Sequence, residues 1–203
     1  MKLYYSGASP YVPKVMVTAI EAGIDKKIEQ VPTAVTPVQP NKDLAKENPL
    51  MKLPTLVTDD GTPLYDSYVI CEYLDSLSKG ARLLPAPGPA RWKVLTLHAL
   101  ATGVTEAGLL ARYEEVVRKP ELRNNEWVQG QLAKVNNGLD ELERSAKDLE
   151  GPINLGQVAT ACAIGWLEFR KPAGDIRKGR PKLFAWYDAF VKRPSLQATL
   201  PKA

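Results

Sequence analysis

The spacing of apolar residues changes character at Ala86-Pro87-Gly88-Pro89, and that change restricts the chain to few architectures. Before it, short strand-like runs alternate with helical segments. Beyond it, only the three- and four-residue spacing of amphipathic helices remains. The Pro/Gly-rich stretch itself reads as a linker. With 203 residues, the chain suffices for one large domain or two small ones. The predicted division is a first domain over 1–78, a linker over 79–88 and an all-helical domain over 89–203.

In the first part, residues 2–5 read as a strand. Residues 13–22 read as a helix, with Pro13 tolerated in its first turn and Gly23 as its stop. A second strand is predicted over 27–31, a proline-rich loop over 32–40 and a short helix over 41–47. Residues 55–58 and 63–65 form two strands joined by the turn Asp59-Asp60-Gly61. A helix follows over 67–77, with Val69, Ile70, Tyr73, Leu74 and Leu77 on one side. The order βαβαββα is that of a thioredoxin fold.

In the second part, Leu97, Leu100, Val104, Ala107 and Ala111 share one helical face. Leu132, Val135, Leu139, Leu142, Ala146 and Leu149 share another. Asn154 followed three residues later by Gln157 is a capping signature that opens a mostly apolar helix over 158–169. A last helix is predicted over 183–191, ended by Arg193-Pro194.

The net charge of +4 is spread among interspersed charges of both signs. Arg118-Lys119 and the basic run at 177–180 read as solvated faces, so no nucleic-acid partner is expected. Cys71 and Cys162 lie in apolar helical patterns and read as small buried residues, which suits a reducing compartment. His98 does not join them at zinc-site spacing, and no metal is expected. Met1-Lys2 leads directly into a strand, no signal peptide is recognised, and the expectation is that no apolar run is long enough to cross a membrane. A cytoplasmic location without membrane contact is the expectation.

Three signals in the first part bear on chemistry. Ser9-Pro10-Tyr11-Val12 joins the first strand to the first helix, at the positive end of a helix dipole. Thioredoxin-like folds carry a CxxC pair at this spot; here serine and valine stand in its place. Taken alone, Ser9 also fits a plain N-cap. The second signal is Leu53-Pro54 at a strand entrance. Position alone favours an ordinary trans proline at an edge. A cis bond would leave the Leu53 backbone groups able to pair with an extended ligand. The third is Asp66-Ser67, directly before a helix, where hydroxyl and N–H can hold a carboxylate and Asp66 an ammonium. Capping accounts for that pair equally well.

Taken together, Ser9-Pro10-Tyr11, the stretch from Asn48-Pro49 through Lys52-Leu53-Pro54-Thr55-Leu56, and the stretch from Asp66-Ser67 through Tyr73-Leu74 resemble the cytosolic glutathione S-transferase superfamily, closest to its bacterial serine-type members. Leu155-Gly156-Gln157 and Arg193-Pro194-Ser195 extend the resemblance to nearly the whole chain. It implies an α+β thioredoxin-like N-terminal domain followed by an all-α helical-bundle C-terminal domain, the GST fold. It further implies glutathione as cosubstrate, a homodimer, and activation of the glutathione thiol for conjugation to a small hydrophobic electrophile in detoxification. Ser9 would donate to the sulfur, with Ser6 as its competitor. The Leu53 backbone beside Pro54 would pair with the cysteinyl unit, Asp66 and Ser67 with the γ-glutamyl end, and Lys52 with the glycyl carboxylate. Tyr5, Tyr11, Leu109, Leu110 and Tyr113 would reach the electrophile, core packing being the default for the two leucines. A non-catalytic binding protein of the stringent-starvation type and a glutathione-dependent peroxidase are the alternatives. The chain departs from the family pattern at Pro13, where arginine is usual, at Asp66, where glutamate is usual, and at Gln157, where aspartate is usual.

Overall fold

The computed structural model describes residues 1–80 and 82–200; Ala81, in the predicted linker, lies outside the described residues. The chain divides into two compact units, Met1–Pro85 and Ala86–Ala203.

The first unit holds a four-stranded sheet of β1 (Lys2–Tyr5), β2 (Glu29–Pro32), β3 (Thr55–Val57) and β4 (Pro63–Leu64), in the order β2-β1-β3-β4. β1 runs parallel to β2 and antiparallel to β3, and β3 runs antiparallel to β4. The parallel pair needs a crossover, supplied by α1 (Val12–Glu21). α2 (Ser67–Ser76) packs beside α1. Leu3 and Leu56 of the sheet, Val15 and Ala19 of α1, and Ile70 and Leu74 of α2 are all buried and form the core.

Four local differences from the sequence reading have physical causes. The helix predicted over 41–47 shrinks to one 3-10 turn, Leu44–Lys46. Asn41 Oδ1 takes the N–H groups of Asp43 and Leu44 at 3.1 and 2.9 Å, and Pro49 follows too soon for a second turn. β2 starts two residues late because Asp25–Lys27 forms a 3-10 turn. On α2 the buried stripe is Ser67, Ile70, Cys71, Leu74 and Asp75, while Val69 and Leu77 are exposed. The apolar face read over 132–149 is split: α4 ends at Arg144, and Ala146–Leu149 continues as a 3-10 turn after Ser145 Oγ donates to the Glu141 carbonyl at 2.8 Å.

The second unit consists of α3 (Pro89–Val116), α4 (Asn125–Arg144), α5 (Leu155–Arg170), α6 (Pro181–Phe190) and the short α7 (Pro194–Gln197). α3 packs along both α4 and α5, and Ala101, Ala159 and Ala163 form a buried cluster where small side chains let α3 and α5 approach closely. An 18-residue window of α3 has a mean hydropathy of 1.4, so this helix is long and apolar enough to cross a membrane. The expectation that no such run exists is therefore corrected. Its apolarity serves two packed faces, with Val94, Ala101, Val104, Ala107 and Ala111 all buried.

The capping box at α5 forms in full. Asn154 Oδ1 accepts from the Gln157 N–H at 3.1 Å, and Gln157 Oε1 accepts from the Asn154 N–H at 2.8 Å. Gln157 also donates from Nε2 to the Leu149 carbonyl at 2.8 Å, a bond that an aspartate has no proton to make.

Candidate functional site

Sheet register assembles this site. Tyr4 pairs with Thr55 across β1 and β3, and Leu56 with Leu64 across β3 and β4. Continued past the strand ends, the same register sets Pro54 opposite Tyr5 on one side and opposite Asp66 on the other. The exit of β1, the entrance of β3 and the exit of β4 therefore meet at one end of the sheet. Ser6 to Ser9, Lys52 to Pro54 and Asp66-Ser67 come together there.

A tight turn leads from β1 into α1. The Ser9 N–H donates to the Ser6 carbonyl at 3.0 Å. Tyr11, not Ser9, is the N-cap residue of α1, and its side chain makes no capping bond. Instead the Tyr11 N–H donates to Ser9 Oγ at 3.3 Å. Ser9 is half-buried, and its hydroxyl proton has no acceptor among the described residues. Ser6 Oγ accepts from the Ala8 N–H at 3.3 Å in the same way, but it lies three residues further from the helix start. Pro13 stands in the first turn of α1 and removes an N–H that the helix leaves unpaired in any case. The Lys14 ammonium lies 5.8 Å from the centroid of the Tyr11 ring.

Leu53-Pro54 is cis. Leu53 is buried, and neither its N–H nor its C=O has a partner among the described residues. The turn is held from behind by Asn48, which is 1% exposed. Its Nδ2 donates to the Lys52 carbonyl at 3.2 Å and to Thr55 Oγ1 at 2.9 Å, and its Oδ1 accepts from the Leu50 N–H at 3.0 Å. Thr55 Oγ1 donates in turn to the Lys52 carbonyl at 2.8 Å. The Lys52 side chain is exposed. The sequence assigns Asn48 no role, because nothing in the residues around it marks the asparagine as buried.

Asp66 is exposed and caps α2, its Oδ1 accepting from the Tyr68 N–H at 2.9 Å. The Tyr65-Asp66 peptide is also cis. Capping consumes one carboxylate oxygen and leaves the other. Ser67, the first residue of α2, is 4% exposed, and its N–H and hydroxyl have no partner among the described residues. Two donors at the positive end of a helix are suited to a carboxylate.

Tyr5 is the last residue of β1 and is half-buried, as is Tyr11. Leu109, Leu110 and Tyr113 belong to α3 in the second unit, where all three are half-buried rather than core residues. Burial raises the Tyr113 hydroxyl above its ordinary value. Cys71 is fully buried, and burial pushes its thiol up to about 11; its Sγ donates to the Lys14 carbonyl at 3.7 Å. That thiol is inert packing rather than a nucleophile.

A family model described as the N-terminal domain of glutathione S-transferase matches residues 8–77, and one for the C-terminal domain matches 125–189. The uncharacterized GST-like protein YibF of Escherichia coli strain K12 is 32% identical over 205 residues, spanning 99% of this chain and 98% of its own. A glutathione transferase family member from Pseudomonas fluorescens Pf-5, solved with bound glutathione, is 41% identical with a TM-score of 0.96 and covers 100% of this chain and 99% of its own. A structure from the same source with bound S-(propanoic acid)-glutathione is 40% identical with a TM-score of 0.92, both chains being covered in full.

Proposed function

We propose that this chain, which belongs to the glutathione S-transferase family, binds glutathione at the end of its sheet and activates the thiol for conjugation to a hydrophobic electrophile. The observation that carries the reading is the Ser9 hydroxyl. It accepts from the Tyr11 N–H at the start of α1 and keeps its own proton to donate. A sulfur placed there receives that hydrogen bond and the positive end of the helix, and both favour thiolate over thiol. Ser9 stabilises the nucleophile and does not attack. The thiolate forms the new C–S bond, and the electron pair displaced from carbon leaves with the leaving group or moves into the acceptor's conjugated system. The family member from Pseudomonas fluorescens solved with the thioether S-(propanoic acid)-glutathione supports a site that takes a glutathione bearing a substituent on sulfur.

The remaining contacts follow from the same end of the sheet. The unpaired N–H and C=O of Leu53 take the cysteinyl backbone as an added strand would. The Ser67 N–H and hydroxyl take the γ-glutamyl carboxylate, the free oxygen of Asp66 takes its ammonium, and Lys52 reaches the glycyl carboxylate. Tyr5 and Tyr11, at the same end of the sheet, contact the electrophile. The chain acts as a homodimer in the cytoplasm; exposed Val69 of α2 and Trp92 of α3 are apolar surface that a second copy would cover.

Ser9→Ala tests the reading. The conjugation rate should fall roughly a hundredfold or more, with glutathione affinity nearly unchanged. Wild-type turnover in that variant would remove Ser9 from the mechanism, and failure of the wild type to be retained on immobilised glutathione would remove the reading itself.

A further inference from the structure

Within the helical unit, α3 and α5 run side by side in the same direction. Near their starts, a Cβ on Gly156 would lie 2.9 Å from Leu97 Cδ2 and from the Val94 carbonyl oxygen. Further along, a Cβ on Gly108 would lie 2.8 Å from Leu167 Cδ2 and 3.3 Å from Trp166 Cζ3. Arg112 stands one turn beyond Gly108, and Arg170 one turn beyond Trp166, so the contact row brings two guanidinium groups to the same end of the helix pair. Burial and then the charge of Arg112 push Arg170 below the usual arginine value.

Neither arginine makes an ion pair among the described residues, although Glu115 follows Arg112 by three positions; Glu114 and Glu168, two positions away, are engaged elsewhere. Glu114 holds Arg118 at 2.7 Å and the Asn124 N–H at 2.8 Å. Glu168 holds Arg177 at 2.5 Å. The helix field accounts for Arg170, the last residue of α5, but not for Arg112, which precedes the last turn of α3. The surroundings are apolar: the Arg170 guanidinium lies 4.5 Å from the centroid of the Phe169 ring. Trp166, one turn before Arg170, is 2% exposed, and its Nε1 has no acceptor among the described residues.

We propose that Arg112 and Arg170 bind the carboxylate of a small organic anion with an apolar body, beside Phe169 and Trp166. Two planar guanidinium groups offer paired donors matched to a carboxylate, and the rings suit a hydrocarbon portion. The carboxylate arrives on a free organic acid.

Calorimetry on the full chain tests this with benzoate and with its neutral analogue benzamide. Benzoate should bind at least roughly tenfold more tightly than benzamide. Arg112→Gln and Arg170→Gln should each weaken the carboxylate ligand by roughly tenfold or more, and Arg112→Lys should restore part of the loss. Removing one of two like charges should leave the melting temperature of the unliganded chain equal or higher. No preference for benzoate over benzamide overturns the proposal, and the wild-type comparison decides even if a variant fails to fold. Glutathione is titrated alongside: if it fails to bind while benzoate binds, the anion site stands and the glutathione reading falls.

Discussion

Asn48 and Thr55 are joined by a buried hydrogen bond of 2.9 Å that spans the turn carrying Leu53. Both side chains also engage the Lys52 carbonyl, so one backbone oxygen is held from two directions. Removing Asn48 leaves buried groups unsatisfied. Asn48→Ala should cost about 2–3 kcal/mol in urea unfolding and should weaken glutathione binding, whereas Ser9→Ala spares binding. A loss below roughly 0.5 kcal/mol would show that the turn holds without its brace.

Ser9 occupies a position that favours negative charge on sulfur, so a protein thiol placed there should ionise readily. Ser9→Cys should give an alkylation profile with an apparent pKa at least roughly one unit below the ordinary thiol value of about 8.5. With oxidised glutathione, the new thiolate should attack one disulfide sulfur, form a mixed disulfide and release glutathione. Mass spectrometry should find one glutathionyl group on the variant and none on the wild type, whose Cys71 and Cys162 are buried. An ordinary thiol pKa at this position would contradict the proposed field of α1.

Glu114 connects α3 to α4 through Arg118 and the Asn124 N–H, and those hydrogen bonds hold its carboxyl below the ordinary value of 4.5. A lowered native pKa means that the unfolded chain takes up the proton first. The stabilisation is complete above about 4.5 and is lost as pH falls through the native value. Glu114→Gln should be less stable than wild type at neutral pH, and the gap should close in acid. Urea titrations of both proteins at neutral and acidic pH test this; a gap independent of pH would mean that the charge of Glu114 contributes nothing.

Gly138 of α4 meets α3 with no room for a side chain: a Cβ there would lie 2.2 Å from Val104 Cγ2. Gly138→Ala gains about 1 kcal/mol of helix propensity but overpacks the contact by about 1–3 kcal/mol. A net loss is expected. Val104→Ala opens the space, so the double variant should be more stable than the sum of the single effects by roughly 1–2 kcal/mol. Additive effects would place the methyl somewhere other than against Val104.

Much of this was legible in the sequence because it rests on local rules. The β1-turn-α1 passage at Ser9, the Asp66 cap and the Asn154/Gln157 box are set by residues within a few positions of one another. What brings Ser9, Leu53 and Ser67 together is different. It depends on register, Tyr4 against Thr55 and Leu56 against Leu64, which no short window contains. The brace from Asn48 also escaped, because a buried asparagine and a loop asparagine look alike in one dimension. The helix read over 41–47 failed for the converse reason: its composition was helical, but the Asn41 side chain captured the first N–H groups. The apolar length of α3 was missed because its polar residues are dispersed among core positions.

Neither partner in the box that opens α5 carries a titratable group. With the usual aspartate in place of Gln157, protonation would weaken that corner as the medium turns acidic. Here the same bonds, and the extra one to Leu149, hold at any pH the protein meets. Acid sensitivity in the helical unit is thus zoned. It lies at Glu114, where α3 hands over to α4, and at Asp188 beside Arg177, while the start of α5 is indifferent to protons.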